Sequence, residues 1–195
     1  MESGYKERLL SFKRPLFLRK EKLKNMPKKI AIFPASFDPV TNGHADLIDR
    51  ICTLDVFDEL VVAIGVNPAK PARFTLEERT EMLQTVIEPY PQATIDGYTG
   101  LTVHYAQARG ACAIIRGLRE ISDFEWEFKM ARMNQQITPD IDTLFMMANT
   151  QYAHISSTLV MEVVQMAQGK VSEEKLLEMV PAVVVEFIKK KFDVL

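Results

Sequence analysis

One stretch of the chain, residues 28–50, constrains the fold more than any other. It begins with a short apolar run at residues 30–33, which has the length and the residue types of a buried strand and ends at Pro34. A loop rich in turn-forming residues follows, and a helical pattern then starts at His44. The order strand, loop, helix places this loop at the carboxyl end of the strand, where ligands bind in open α/β sheets.

The same loop has the chemistry of a phosphate site. A helix start offers unpaired N–H groups and a partial positive charge, and both favour a phosphate group. Gly43 has no Cβ, so a phosphate can approach the backbone closely at that position. His44 follows directly and can donate a hydrogen bond to a phosphoryl oxygen. The stretch therefore predicts a phosphate-bearing ligand at this edge of the sheet.

The rest of the chain alternates strands with helices. Residues 59–66 form a continuous apolar run, which is typical of a strand buried on both faces of a parallel sheet. We predict strands at residues 30–33, 59–66, 93–95, 112–115 and 142–147, and helices at residues 44–54, 76–88, 101–109, 122–136, 156–168 and 173–191. This alternation predicts a single α/β domain on a doubly wound, five-stranded parallel sheet with helices on both faces.

Residues with strong turn or cap preferences set the expected boundaries. Thr75 and Glu78 have the spacing of a capping box, and Ser122 or Asp123 is the expected cap of a later helix. Residues 97–100 and 116–119 have the composition of loops, and Pro181 is expected to break the last helix.

Composition narrows the classes of partner. The net charge of -2 gives no general attraction to nucleic acid or to a membrane surface, so neither is expected as a partner. No apolar run approaches the roughly 18–20 residues of a membrane span. Cys52 and Cys112 have no metal-ligand spacing and lie in apolar surroundings, which predicts buried thiols in a reducing compartment, the cytoplasm.

Residues 1–27 form a basic extension, and residues 28–195 form the domain. Residues 1–29 hold ten Lys or Arg and three Asp or Glu, while the remainder has an excess of acidic residues. Three interpretations of the extension remain open. It is a poorly ordered or weakly helical tail with Met26 as the usual start, a basic targeting segment, or a surface for an acidic partner. We assign it no catalytic role.

Several motifs resemble one enzyme family. Residues 41–44, Thr-Asn-Gly-His, resemble the T/H-x-G-H signature of the nucleotidyltransferase superfamily, and the longer string FPASFDPVTNGH at residues 33–44 is similar to that of the phosphopantetheine adenylyltransferases. The resemblance covers about residues 28–192. It implies strand order 3-2-1-4-5, a homohexamer, and transfer of the adenylyl group of ATP to 4'-phosphopantetheine, which gives dephospho-coenzyme A and pyrophosphate in coenzyme A biosynthesis.

The resemblance implies that three residues carry the catalysis: His44, Lys70 and Arg116. His44 would stabilise the pentacoordinate phosphorus during in-line attack, with no covalent intermediate. Lys70 would neutralise charge between the two substrates, and Arg116 would meet the phosphate of phosphopantetheine. From the residues alone, the Arg-Gly-Leu-Arg segment at 116–119 offers two guanidinium groups, which bind phosphate in a bidentate manner.

The resemblance also assigns the two binding sites. The implied ATP-binding residues are Ser36, Phe37, Gly43, His44, Gly117, Leu118, Arg119, Glu127, Tyr152, Ile155, Ser156, Ser157 and Thr158. The implied acceptor-binding residues are Ser36, Lys70, Leu101, Thr102, Arg116 and Asn134. The Ser-Ser-Thr cluster at 156–158 also fits a simple helix cap. No His, Cys or Asp cluster has metal-ligand spacing, so we expect Mg²⁺ to arrive with ATP rather than in a protein site.

The chain departs from the family pattern at three positions. Ala35 replaces the usual Gly, Trp126 replaces Tyr, and Met161 stands where the superfamily has Arg or Lys. Two alternative functions remain open: nucleotide transfer to another phosphate, such as nicotinamide mononucleotide or glycerol 3-phosphate, and a nucleotide-binding module without turnover. Ala35 and Met161 are the only support for the second.

Overall fold

The computed structural model describes residues 27–166 and 171–192. The predicted basic extension therefore lies outside the described residues, except for Pro27. Within them the strands are β1 (Ile30–Ala35), β2 (Glu59–Val66), β3 (Ala93–Thr99), β4 (Ala113–Leu118) and β5 (Asp142–Met147). The helices are α1 (Asn42–Thr53), α2 (Leu76–Ile87), α3 (Thr102–Ala108), α4 (Ile121–Ile137), α5 (Ser157–Met166), α6 (Glu173–Leu177) and α7 (Ala182–Phe192), with a 3-10 turn at Thr150–Tyr152.

The five strands form one parallel sheet in the order β3-β2-β1-β4-β5. This confirms the predicted doubly wound α/β fold and its strand order. The chain leaves β1 in one direction through β2 and β3, then returns to the other side of β1 for β4 and β5. The reversal lies between β1 and β4, and a crevice opens at such a point, at the carboxyl ends of the strands.

Two apolar clusters cover the faces of the sheet. The larger cluster packs α1, α2, α5, α6 and α7 against one face, through residues such as Leu47 and Met82. The smaller cluster packs α3 against the other face, through Val103 and Ala106. Side chains alternate along β1, so Phe33 belongs to the first cluster and Ile32 to the second. These clusters fix the positions of the strand ends that form the site.

Three strands extend further than predicted. β1 continues through Pro34 to Ala35, β3 continues to Thr99, and β4 starts at Ala113 and continues to Leu118. The predicted loop at 97–100 and the predicted turn at 116–119 were therefore wrong for most of their residues. Pairing is the reason, because Gly97–Thr99 align with Ile64–Val66, and Arg116–Leu118 align with Phe145–Met147. Parallel pairing with a neighbour overrides the local turn preference of glycine.

Helix boundaries were predicted more closely. The capping box of Thr75 and Glu78 at the start of α2 is present, and Pro181 separates α6 from α7, as predicted. α1 begins at Asn42 rather than His44, because Thr41 is the N-cap. The predicted cap of α4 was wrong: the N-cap is Glu120, and Asp123 binds Arg119 instead. Residues 167 and 168 of the predicted fifth helix lie outside the described residues.

The two cysteines differ in their surroundings. Cys52 is buried, as predicted, and its burial raises the pKa of its thiol to about 11. Cys112 is exposed, so the prediction of two buried thiols was wrong for it. It immediately precedes β4, where the strand has not yet entered the core. In the part of the chain that the structure describes, no helix has both the length and the apolar character that a membrane crossing requires.

Candidate active site

A cavity of about 270 Å³ opens at the carboxyl edge of the sheet, between β1 and β4. Its walls are the end of β1, the start of α1, the end of β4, one side of α4 and the start of α5. Among the residues that line it are Ser36, Gly43, His44, Arg116, Gly117, Arg119, Glu127, Tyr152, Ile155, Ser156, Ser157 and Thr158. The structure therefore brings most of the predicted ATP-binding residues together around one cavity.

A second cavity of about 510 Å³ lies over the ends of β1, β2 and β3. It is more open than the first cavity and is lined by Gly65, Val66, Asn67, Pro68, Tyr98 and Gly100, together with four residues of the first cavity. Those four residues, which we call the shared wall, are Pro34, Ala35, Ser36 and Arg116. Two ligands that occupied these cavities would therefore meet at the shared wall.

His44 is held in one orientation by the start of its own helix. It is the third residue of α1, and its side chain completes a capping box with Thr41. The backbone N–H of Thr41 donates to Nδ1 of His44 at 3.1 Å, and the Thr41 hydroxyl lies 3.0 Å from the same nitrogen. Because Nδ1 accepts the backbone hydrogen, the neutral ring carries its proton on Nε2. That N–H is the group that remains for a ligand.

His44 is also kept neutral. Burial, together with the positive charges of Arg119 and Arg116, lowers its pKa to about 4. The ring also contacts Phe37 edge-on, with ring centroids 5.0 Å apart. His44 is therefore a fixed, neutral hydrogen-bond donor at physiological pH.

The loop between β1 and α1, residues 36–41, is anchored at several points. Both oxygens of the buried Asp38 carboxylate accept backbone hydrogens, from Arg73 at 2.9 Å and from Phe74 at 2.8 Å. The Ser157 hydroxyl donates to the Pro39 carbonyl at 2.8 Å. Phe37 has a φ of 49°, a conformation that a bulky residue rarely adopts. This loop is therefore held in a strained shape by residues from α5 and from the segment before α2.

Arg116 connects the two cavities to α4. Its Nε and Nη2 donate to the two carboxylate oxygens of Glu127, at 2.8 and 2.5 Å, and its Nη1 donates to the Pro34 carbonyl at 2.6 Å. The guanidinium is therefore fixed in the shared wall by Glu127 and by the Pro34 carbonyl. Two of its five N–H groups remain for a ligand.

Arg119 and Asp123 form a second pair at the rim of the first cavity. The guanidinium of Arg119 donates to both oxygens of Asp123, at 3.0 and 3.1 Å, and its backbone N–H adds a third bond. Burial alone would raise the pKa of Asp123, but these bonds lower it overall. Asp123 lines the cavity and was not among the predicted site residues.

The start of α5 closes the far side of the first cavity. The Ser156 hydroxyl accepts the Leu159 N–H at 3.1 Å, which is the bond of a helix cap. The Ser157 hydroxyl donates instead to the Pro39 carbonyl. The three hydroxyls of the Ser-Ser-Thr segment therefore do not have equal roles. This helix start lines the cavity, and the first backbone N–H groups of a helix have no partner within the helix, which favours an anion there.

Some predicted residues lie outside both cavities. Lys70 is exposed in the loop after β2, Leu101 is 52% exposed, and Asn134 lies half-buried on α4. Thr102 bonds the Tyr98 hydroxyl at 2.7 Å, so it reaches the second cavity only through Tyr98. Phe37 and Leu118 are buried in the core rather than exposed to a cavity.

The three departures from the family pattern lie in different environments. Ala35 lies in the shared wall, Trp126 is exposed outside both cavities, and Met161 is fully buried.

Besides Asp123, Tyr98 and Arg79 lie near the site and were not predicted from the sequence. Tyr98 lines the second cavity, and its position at the end of β3 could have indicated this once the strand end was placed correctly. Arg79 is buried and donates to the Ser36 carbonyl at 2.9 Å. Nothing in the local pattern of α2 distinguishes Arg79 from a surface arginine.

The family profile and the relatives that this sequence matches belong to one kind of enzyme. The profile of the cytidylyltransferase-like family matches residues 32–163. The chain is 43% identical to the phosphopantetheine adenylyltransferase of Alkaliphilus metalliredigens over 84% of this chain and 99% of that protein. It is 44% identical to that of Geobacter metallireducens over 86% and 98%, and 52% identical to that of Carboxydothermus hydrogenoformans over 69% and 82%.

A solved structure shares the fold at low identity. The nicotinic acid mononucleotide adenylyltransferase of Plasmodium falciparum, in complex with NaAD, superimposes with a TM-score of 0.63 at 15% identity, over 84% of this chain and 96% of that chain. The order of the sheet agrees with this common fold. The chain belongs to the cytidylyltransferase-like family and, within it, to the phosphopantetheine adenylyltransferases.

Proposed function

We propose that this chain transfers the adenylyl group of ATP to 4'-phosphopantetheine, which gives dephospho-coenzyme A and pyrophosphate, a step of coenzyme A biosynthesis. One observation carries the proposal beyond the family relationship. Two cavities meet at a single wall that contains Ser36 and the fixed guanidinium of Arg116. A reaction between two phosphate-bearing substrates requires such a meeting point, because proximity and orientation supply much of the rate.

The first cavity is the proposed ATP site. The start of α5 and the Arg119 guanidinium would bind the β- and γ-phosphates, through backbone N–H groups and charge. His44 would donate from Nε2 to an oxygen of the α-phosphate, where negative charge develops in the transition state. The hydrogen bond that fixes Nδ1 of His44 aims this donor before substrate arrives.

The second cavity is the proposed acceptor site. The terminal phosphate of 4'-phosphopantetheine would lie against Ser36 and Arg116 in the shared wall, in line with the bond to the leaving pyrophosphate. Its oxygen attacks the α-phosphorus and no covalent enzyme intermediate forms. The pantetheine arm would extend toward Gly100 and Tyr98, near Leu101 and Thr102. Lys70 would reach the phosphates by movement of its exposed loop.

We propose that Mg²⁺ enters with ATP as part of the substrate. Within the described residues, no group of three or more His, Cys, Asp or Glu side chains is placed to hold a metal ion. A magnesium ion would then be bound mainly by phosphate oxygens and water, and would neutralise charge on the triphosphate. The two carboxylates of the first cavity, Asp123 and Glu127, are already occupied by arginines.

We also propose that the chain forms a homo-oligomer in the cytoplasm, a hexamer as in its family. One face of α4 packs on β5, where the rings of Phe124 and Phe145 are 5.9 Å apart. The opposite face carries an exposed apolar stripe at positions i, i+4, i+7 and i+11, which none of the described residues covers: Trp126, Met130, Met133 and Ile137. A stripe of this kind on a helix that buries no residue of its own is typical of an interface between subunits.

The reaction is tested by pyrophosphate release from ATP and Mg²⁺ with 4'-phosphopantetheine as the acceptor. Parallel assays use nicotinamide mononucleotide with ATP, and glycerol 3-phosphate with CTP. We expect release with 4'-phosphopantetheine alone. Release with another acceptor would overturn the proposed specificity, and no release from folded protein that still binds ATP would support a binding module instead. The His44→Ala variant gives the background rate of the same preparation.

A further inference from the structure

Asp38 is a buried carboxylate that joins two loops of the site. Its oxygens accept the consecutive backbone N–H groups of Arg73 and Phe74, at 2.9 and 2.8 Å. In the part of the chain that the structure describes, no other hydrogen bond connects the β1–α1 loop, residues 36–41, with residues 67–74. Each N–H has its own carboxylate oxygen in these two bonds, which we call the Asp38 anchor. An asparagine at this position would offer one acceptor oxygen and an NH₂ donor instead.

Residues 67–74, between β2 and α2, are fixed at both ends and exposed between them. At the start, Asn67 lines the second cavity, and its carbonyl accepts the Lys70 N–H at 3.1 Å. At the end, Phe74 is fully buried in the core. Lys70 lies in the exposed part between these points. Its position therefore depends on the turn at Asn67 on one side and on the Asp38 anchor on the other.

The Asp38 anchor limits how far Lys70 can move. Three residues span at most about 11 Å when fully extended, so the Lys70 backbone stays within that distance of Arg73 whatever the shape of the exposed loop. Asp38 belongs to the same loop as Ser36, which lies in the shared wall. When residues 67–74 move, the end of this segment therefore remains attached to the loop that carries Ser36.

We propose that Asp38 is a positioning residue, which fixes one end of residues 67–74 so that Lys70 reaches the acceptor phosphate at the shared wall. The inference deepens the proposed function and rests on it. Asp38 lines neither cavity, so it acts through Lys70 and not by contact with a substrate. Misplacement of a catalytic group by about 1 Å can lower a rate by about 10²-fold. Loss of the Asp38 anchor should therefore reduce activity although Lys70 itself is intact.

A double-mutant cycle on kcat/KM for 4'-phosphopantetheine, at saturating Mg-ATP, tests whether Asp38 acts through Lys70. Asp38→Asn should lower kcat/KM by about 10²-fold, and Lys70→Met by at least as much. The double variant should match Lys70→Met within a few-fold, because an anchor has no effect once the side chain that it positions is gone. The affinity of Asp38→Asn for ATP should stay close to the native value, since Thr41 and Ser157 hold residues around the first cavity by separate bonds.

Two further variants separate positioning from loss of stability. Thr75→Ala removes the side-chain cap of α2, next to the Asp38 anchor, and leaves both bonds of the anchor in place. It should lower the melting temperature and keep kcat/KM near the native value. Insertion of one glycine between Pro71 and Ala72, which are both exposed, moves Lys70 relative to an intact anchor. It should lower kcat/KM as Asp38→Asn does, and it decides the result if Asp38→Asn does not fold.

Chemical modification of Lys70 gives a second readout that needs no turnover. The native protein, Thr75→Ala and Asp38→Asn are treated with acetic anhydride, with and without 4'-phosphopantetheine. Peptide mass spectrometry then measures the acetylated fraction of Lys70. We expect 4'-phosphopantetheine to protect Lys70 in the native protein and in Thr75→Ala, and to give no protection in Asp38→Asn.

Any of three outcomes would overturn the inference. The losses of Asp38→Asn and Lys70→Met could multiply in the double variant, the glycine insertion could leave kcat/KM at the native value, or Lys70 could be protected equally, or not at all, in the native protein and in Asp38→Asn. Failure of the proposed function alone gives a different pattern. In that case the native protein would release no pyrophosphate with 4'-phosphopantetheine, yet protection of Lys70 would still depend on Asp38.

Discussion

Both carboxylate oxygens of Glu127 on α4 accept hydrogen bonds from the Arg116 guanidinium on β4, at 2.8 and 2.5 Å. The pair is only partly exposed, so its geometry is better fixed than that of a surface ion pair. Glu127 therefore orients the Arg116 guanidinium in the shared wall, in addition to lining the first cavity.

We expect the two residues to be energetically coupled. Arg116→Gln and Glu127→Gln should each lower the free energy of unfolding by about 1–2 kcal/mol, and the double variant should lose less than the sum. Urea unfolding of the native protein, the two single variants and the double variant measures this double-mutant cycle. Arg116→Gln should also lower kcat/KM for the acceptor by about 10²-fold, and Glu127→Gln by much less, because the amide oxygen still accepts from the guanidinium. Additive stability losses would contradict the coupling.

His44→Ala should keep ATP affinity within several-fold and lower kcat by orders of magnitude. The reason is that an N–H aimed at developing charge acts mainly in the transition state. His104→Ala is the matched control, since His104 lies on α3 and lines neither cavity. Equilibrium binding of ATP and steady-state rates measure the two effects. Nearly native turnover of His44→Ala would contradict the role assigned to this histidine.

The ionisation of His44 should not limit activity near neutral pH. Its pKa of about 4 keeps the ring neutral above about pH 5, so kcat/KM should show no step near pH 6.5 from this residue. Nitrogen chemical shifts of the imidazole should show the Nε2–H form at pH 7. A proton on Nδ1 at that pH would contradict the tautomer.

The same pKa makes stability depend on pH. The folded pKa lies below the unfolded value, so between about pH 4 and pH 6.5 the unfolded chain binds more protons. The contribution of His44 to the free energy of unfolding should therefore be fully present above about pH 6.5 and fall as the pH decreases toward 4. Denaturant midpoints of native protein and His44→Gln should converge across this window. If the two midpoints instead changed with pH in parallel, the pKa of His44 would be the same in the folded and the unfolded chain.

The hydroxyls at the start of α5 should separate into two roles. Ser157→Ala removes the bond to the Pro39 carbonyl and should lower the free energy of unfolding by about 0.5–1.5 kcal/mol. Thr158→Ala removes a hydroxyl that lines the first cavity, so it should raise KM for ATP and leave stability nearly unchanged. Thermal unfolding and ATP kinetics of both variants distinguish these effects. If Ser157→Ala instead raised KM for ATP and left stability unchanged, the Ser157 hydroxyl would be the one that binds the nucleotide.

Placing a charge on the α4 stripe should disrupt the proposed oligomer. Met133→Glu adds a carboxylate to the exposed apolar face, whereas Gln136→Glu adds the same charge to the polar side of the same helix. Light scattering and sedimentation should show a smaller species for the first variant and an unchanged mass for the second. An identical mass for native protein and Met133→Glu would show that this face is not the interface.

The sequence predicted what depends on periodicity and on local chemistry. The apolar run of β2, the boundaries of β5 and the capping box of Thr75 and Glu78 need only neighbouring residues, and all three were confirmed. The Thr-Asn-Gly-His segment predicted a helix start at the carboxyl edge of the sheet, and the structure places it at the crevice; phosphate binding there stays a prediction.

What the sequence could not predict depends on distant partners. Gly117 looked like a turn glycine, but a Cβ there would lie 2.5 Å from Cδ1 of Leu47, so the glycine lets α1 pack against β4. The bond from Arg79 to Ser36 joins residues 43 positions apart, and no local pattern indicates it. Glu127 was predicted to bind ATP, and only the structure reveals that Arg116 already occupies its carboxylate.

The shared wall of Pro34, Ala35, Ser36 and Arg116 has a consequence for inhibitor design. Since the two cavities share these lining residues, a single molecule that follows the wall can contact both cavities. Two weak fragments, one for each cavity, become effectively intramolecular when a short linker follows the wall, and their combined affinity can exceed either alone by about 10²–10⁴-fold. A chemist would grow such a compound outward from a small anionic group placed at Arg116.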